Sequence, residues 1–141
     1  MPNSKYTQVV DLLAAGKLRW DSDLIEACLL TGASFDAGDK TLSEVGQSIQ
    51  TTTIQGRWVA PGGNFIGQPA LFQNADGDSD YQVVLVQNTG MGDPNLLAWY
   101  DTDEGGGSIH LDNAGTLIIR PSLLENPPEG APDASRLWMK V

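Results

Sequence analysis

Cysteine and histidine are almost missing from this chain, which has one of each, Cys28 and His110, in 141 residues. A lone cysteine permits no internal disulfide and no multi-cysteine zinc site. Within the run Leu24-Ile25-Glu26-Ala27-Cys28-Leu29-Leu30 it reads as a small buried hydrophobe. A single histidine leaves little material for proton shuttling or imidazole ligation. No apolar run approaches the roughly 18–20 residues of a membrane helix. The start Met1-Pro2-Asn3-Ser4-Lys5 lacks the apolar stretch of a signal peptide, so synthesis and folding in a cytoplasm are expected. Basic residues are also scarce, 8 against 18 acidic ones, for a formal charge of -10. None lies between Arg57 and Arg120, where Asp76, Asp78, Asp80, Asp93, Asp101, Asp103, Glu104 and Asp112 fall. Residues 1–20 carry Lys5, Lys17 and Arg19 against Asp11, a sum of +2 that leaves -12 for the rest. Such a surface repels phosphate backbones, so direct nucleic-acid binding is not expected; without a spanning apolar run, no membrane partner is expected either.

What is present fits one domain with a sizeable core, because a chain of this size buries roughly two-thirds of its unfolded surface. Tyr6, Val9, Val10 and Leu13 recur on one helical face, with Ser4 placed to cap the start and Gly16 to end the helix. Beyond Leu18 the pattern changes to short apolar runs separated by turn residues. Strands are expected at Leu24–Leu30, Thr51–Ala60 with a break at Gly56, Tyr81–Gln87, Asn95–Tyr100, Ser108–Leu111, Thr116–Arg120 and Arg136–Val141. The segment 31–46 reads as a polar loop with a small helix around Leu42–Val45. Pro121–Ser135, with four prolines, reads as an extended surface arm. The expected organisation is an N-terminal helix or arm over 1–20, a β domain over 21–120, and a proline-rich arm with a terminal strand over 121–141. The expected fold is mainly β, an antiparallel sandwich or a jelly-roll-like barrel.

Few motifs carry chemistry. Asn74-Ala75-Asp76-Gly77-Asp78-Ser79-Asp80 sets oxygen ligands at alternate positions, and Asp76, Asp78 and Asp80 are the candidate metal ligands. No glutamate closes an EF-hand loop, so a solvated turn is the preferred reading. Asp101-Thr102-Asp103-Glu104-Gly105-Gly106-Gly107 gathers carboxylates without a cationic neighbour and reads as a glycine hairpin. Ser108 and His110 share a strand face, but a triad also needs an orienting acid and an oxyanion hole. Gly90-Met91-Gly92 precedes Pro94 and a strand rather than the helix a phosphate loop requires. No catalytic residue and no cofactor is assigned. Among Trp20, Trp58, Trp99 and Trp138, core packing is the default, and Trp138 in the terminal strand is the preferred interface anchor.

The order of segments then matters: Leu18-Arg19-Trp20-Asp21-Ser22-Asp23-Leu24 through Thr31, a polar loop, a threonine-rich strand, Tyr81-Gln82-Val83-Val84-Leu85-Val86, Asn95-Leu96-Leu97-Ala98-Trp99-Tyr100-Asp101, a glycine turn, and Thr116–Ile119. This arrangement resembles small structural proteins of tailed bacteriophages, decoration or cement proteins among them. The chain departs from that group in its arm, Pro121–Val141. The resemblance implies assembly rather than catalysis: a homo-oligomeric capsid decoration protein on the virion surface, with the major capsid protein or other virion proteins as partners. On that expectation Lys5, Lys17 and Arg19 face acidic capsid patches, together with Trp138. A head–tail connector, a tail or fibre component, and a calcium- or carbohydrate-binding module are the alternatives; a small hydrolase using Ser108 and His110 ranks last.

Overall fold

The computed structural model describes residues 4–60, 62–102, 107–123 and 136–140. Along the chain they form β1 (Ser4–Lys5), α1 (Gln8–Ala14), β2 (Ile25–Leu30), α2 (Leu42–Val45), β3 (Gln50–Thr53), β4 (Trp58–Ala60), β5 (Asn64–Gly67), β6 (Ala70–Ala75), β7 (Ser79–Gln87), β8 (Asn95–Tyr100), β9 (Ile109–Leu111), β10 (Gly115–Ile119), β11 (Ser122–Leu123) and β12 (Arg136–Lys140). The main sheet runs β1-β8-β7-β2-β3, with β9 added beside the start of β7. A second sheet has the order β11-β12-β5-β4, and β10 pairs with β6 in a third. The pairings are antiparallel, the architecture is mainly β and sandwich-like, and no sheet among the described residues closes into a barrel.

The runs in β2, β7 and β8 are apolar without alternation because both faces of these strands are covered. On one face Ile25, Ala27, Leu29, Val83 and Leu85 pack against Phe65 and Trp138 of the second sheet and Phe72, Leu117 and Ile119 of the third. On the other, Cys28, Leu30, Val84, Val86, Leu96 and Trp99 pack with Tyr6 and are covered by Phe35, Leu42 and Val45. The polar segment 31–46 is thus a cover for the second face of the sheet, seated by a few apolar side chains. Cys28 lies in this smaller core, 1% exposed.

Two bulges break the alternation. Between β7 and β8 the pairing passes from Leu85↔Ala98 to Val86↔Leu96, so Leu97 is extra, and Leu97 and Ala98 both turn to the inter-sheet core. Between β12 and β5 it passes from Leu137↔Ile66 to Met139↔Phe65, which makes Trp138 extra and sends Trp138 and Met139 inward together. A single added residue shifts the face presented by the rest of the strand.

The N-terminal helix is present but starts later than its periodicity suggests. Ser4 does not cap it; Ser4 and Lys5 pair with Trp99 and Ala98 in the main sheet, and Val10 is 56% exposed. Its end is as expected. Gly16 has φ +69°, Gly16 N–H donates to Leu13 C=O at 3.0 Å and Lys17 N–H to Leu12 C=O at 2.8 Å, a Schellman closure. Tyr6 and Val9 are buried in the two cores, so residues 4–14 belong to the domain rather than to a detachable arm. At the other end β12 is an interior strand of its sheet. The proline-rich stretch 124–135 lies outside the described residues.

Candidate functional site: a basic cleft at the open edge of the sandwich

The acidic motif after β6 is a turn. Tyr81 Oη donates to Asp76 C=O at 2.7 Å, Asp78 N–H to Asp112 C=O at 3.0 Å, and Ser79 Oγ to Gly77 C=O at 3.2 Å. Asp76, Asp78 and Asp80 do not converge: among the described residues no group of three His, Cys, Asp or Glu side chains is placed to hold a metal ion. Asp80 turns instead to the histidine, with Oδ1 2.7 Å from His110 Nδ1, while Asp112 Oδ1 lies 2.9 Å from His110 Nε2. The hydrogen bond to Asp80, and then the charges of Asp80 and Asp112, raise the histidine above its ordinary 6.5 against partial desolvation. With both ring nitrogens engaged, His110 is not poised as a base for Ser108, whose backbone instead bridges to Thr102. Residues 103–106 of the glycine hairpin expected over 101–107 lie outside the described residues.

The tryptophans divide unevenly. Trp20 stacks on Phe65 at 5.4 Å and donates Nε1–H to Ile66 C=O at 2.8 Å. Trp138 is 3% exposed, donates to Gln68 C=O at 3.0 Å and meets Tyr100 edge-on at 5.3 Å. Its indole is packed into the core, because the β12 bulge turns it inward, and Trp138 reaches the surface as part of the cleft lining described below. Trp58, 36% exposed on the edge strand β4, is the tryptophan with surface to offer.

The basic candidates also separate. Lys17 and Arg19 are exposed in the connection after α1; their main chains are tied down by Gln87 Nε2 donating to Lys17 C=O at 2.7 Å and Arg19 N–H donating to Asp23 Oδ2 at 2.7 Å. Lys5 is brought next to Lys140 instead. Antiparallel partners point to the same face, so Lys5, opposite Ala98, points toward the gap between the sheets. There Ser4, Lys5, Ala98, Tyr100, Leu137, Trp138, Met139 and Lys140 line a cleft of about 290 Å³. Both bulged strands form its walls, and Tyr100 Oη donates to the Trp138 carbonyl at its base, locking β8 to β12. Burial holds the Tyr100 phenol far above its usual range, so it serves as a neutral donor. Lys5 and Lys140 are exposed at the rim and have no acidic partner among the described residues. The volume is at the small end of ligand pockets, which span about 300–1,000 Å³. It suits a side chain or two, presented with negative charge, more than a large cofactor.

Sequence reasoning missed Lys140 and Tyr100 because their convergence with Lys5 depends on strand order, which no local spacing encodes. It also missed Arg57. This half-buried guanidinium donates to three main-chain carbonyls, Trp20 at 2.7 Å, Ile54 at 2.6 Å and Asp23 at 2.5 Å, and so staples the loop before β2 to the β3–β4 turn. Comparison with known proteins finds no matching family model, no matching curated protein and no matching solved structure.

Proposed function

We propose that this chain is a non-enzymatic structural protein of a tailed-bacteriophage virion, a decoration or cement protein that seats on the shell of the major capsid protein. The observation that carries this reading is the cleft at the sandwich edge: two lysines with no ion pair among the described residues, over apolar walls, on a chain with a formal charge of -10. Such a site favours docking to a surface of opposite charge, and a shell presents that surface many times. The segment order that resembles phage structural proteins adds to it. Binding to the assembled shell and not to its broken forms stabilises the shell by mass action. Self-association belongs to the same reading, and β4, an edge strand with Trp58 and Val59 exposed, is where it would be sought first.

The test is to mix the purified chain with shells assembled from the major capsid protein and with free capsid subunits, then to measure co-sedimentation and shell melting. Binding to shells with a raised melting temperature is expected. Equal affinity for free subunits, or no effect on the shell, contradicts the reading.

A further inference from the structure

We infer that the Lys5–Lys140 cleft is a receptor for an extended, carboxylate-bearing segment of a partner protein. It takes that segment's aspartate or glutamate side chains between the two ammonium groups and an adjacent apolar side chain against Leu137. This rests on the docking role proposed above and names the chemistry of its partner.

Three observations lead there. First, the two cations come from β1 and β12, far apart in sequence, and meet only because β1, the end strand of the main sheet, and β12 of the second sheet line the same cleft. The chain as a whole carries a large acidic excess, so a site lined by two lysines and no acidic residue is distinctive in it. Second, neither ammonium has an ion pair among the described residues, which include 13 of the 18 acidic ones. Third, the base is rigid. Ala98, Tyr100, Trp138 and Met139 are each no more than 4% exposed, and the Tyr100–Trp138 hydrogen bond fixes the two bulged strands to each other. Bulges of this kind recur beside binding sites, where they re-aim side chains. A rigid apolar base with two cations at its lip selects for a segment that alternates charge and apolar side chains, as an extended strand does. Phosphate-rich ligands fit less well, because a chain with a formal charge of -10 repels a long continuous polyanion more than a short acidic stretch.

The experiment uses the full chain, isotope-labelled, titrated with a capped hexapeptide alternating glutamate and leucine and, separately, with the glutamine–leucine analogue. Backbone amide shifts at Ser4, Lys5, Ala98, Tyr100, Leu137 and Lys140 are expected with the acidic peptide and not with the neutral one. The affinity should fall as salt shortens the Debye length from about 10 Å at 0.1 M to about 3 Å at 1 M. Lys5→Glu combined with Lys140→Glu should weaken binding by about ten-fold. Both positions are exposed, so an unchanged melting temperature is the control for folding; Lys5→Gln with Lys140→Gln serves if the charge reversals disturb it. Equal binding of both peptides, shifts elsewhere, or no shifts would overturn the inference. The docking role is separable from it. If the double variant co-sediments with shells as the natural chain does, the cleft assignment falls and the decoration reading stands. If the peptide occupies the cleft and the chain ignores shells, the decoration reading falls and the cleft remains.

Discussion

At the scale of single residues, two tyrosines make a contrast that tests the description of both cores. Tyr6 Oη is buried with no hydrogen-bond partner among the described residues, and burial reinforced by Asp39 and Asp36 raises its pKa beyond the usual phenol range. Tyr100 Oη, equally buried, donates to the Trp138 carbonyl. An unsatisfied buried hydroxyl costs desolvation and returns nothing, whereas removing a partner orphans the group left behind. Tyr6→Phe is therefore expected to leave unfolding free energy within about 0.5 kcal/mol or to raise it, and Tyr100→Phe to lower it by about 1–2 kcal/mol, both read from urea denaturation. Arg57→Met should cost about 2–3 kcal/mol, since three carbonyls lose a charged donor. Arg57→Lys should recover only part of that, because a point-like ammonium does not reproduce the planar fork. For His110 the sign is fixed by the direction of its shift. A histidine whose folded pKa is raised above 6.5 contributes stability fully below the unfolded value and loses it as pH rises through the raised one. The urea midpoint should accordingly fall across the window just above pH 6.5. Asp80→Asn should flatten that slope and bring the histidine's titration, followed by its ring proton resonances, back toward 6.5.

At the scale of elements, the acidic turn is a packing device. A Cβ on Gly77 would sit 2.5 Å from the Ala114 nitrogen and 2.6 Å from the Asn113 carbonyl carbon, both main-chain atoms that no rotamer change can move. Gly77→Ala is expected to cost about 1–3 kcal/mol, in the range of overpacking, and to disturb the ends of β6 and β10 in amide exchange. A denaturation midpoint matching the natural chain would contradict that close approach. Much of the strand content is legible because apolar runs bounded by glycine, proline and asparagine stand out: Asn95–Tyr100 has the expected bounds, and α2 spans Leu42–Val45 as its residues suggest. Gly16 likewise ends α1 as expected. The failures have a common physical origin in non-local pairing. Ser4 and Lys5 look like a helix start because Tyr6, Val9 and Leu13 come after them at helical spacing, yet their partner is β8, far along the chain. β5 is hidden because Asn64-Phe65-Ile66-Gly67 is short and bracketed by turn residues; its strand character comes from β4 and β12 on either side. Trp138 reads as an anchor because it lies just past a proline-rich stretch, and the bulge that buries it is a property of register.

For the whole molecule, the uneven charge proved informative in a different form. The +2 of residues 1–20 is dispersed: Lys17 and Arg19 lie in the connection after α1, while Lys5 joins Lys140 at the cleft. Strand order, rather than sequence neighbourhood, thus builds the electropositive feature on an acidic chain. It also binds the first described residues into the domain, so the docking role is better probed by point substitutions at the rim than by removing residues 1–16, which would take Tyr6 and Val9 out of both cores. The proposed decoration role has a consequence in copy number, because the symmetry of a shell differs from that of a single vertex. The most direct measurement is quantitative mass spectrometry of purified particles, with this chain counted against the major capsid protein. A count of tens to hundreds of copies per particle is the result predicted for a shell-covering protein, whereas about a dozen or fewer would mark a vertex or tail component and contradict the account.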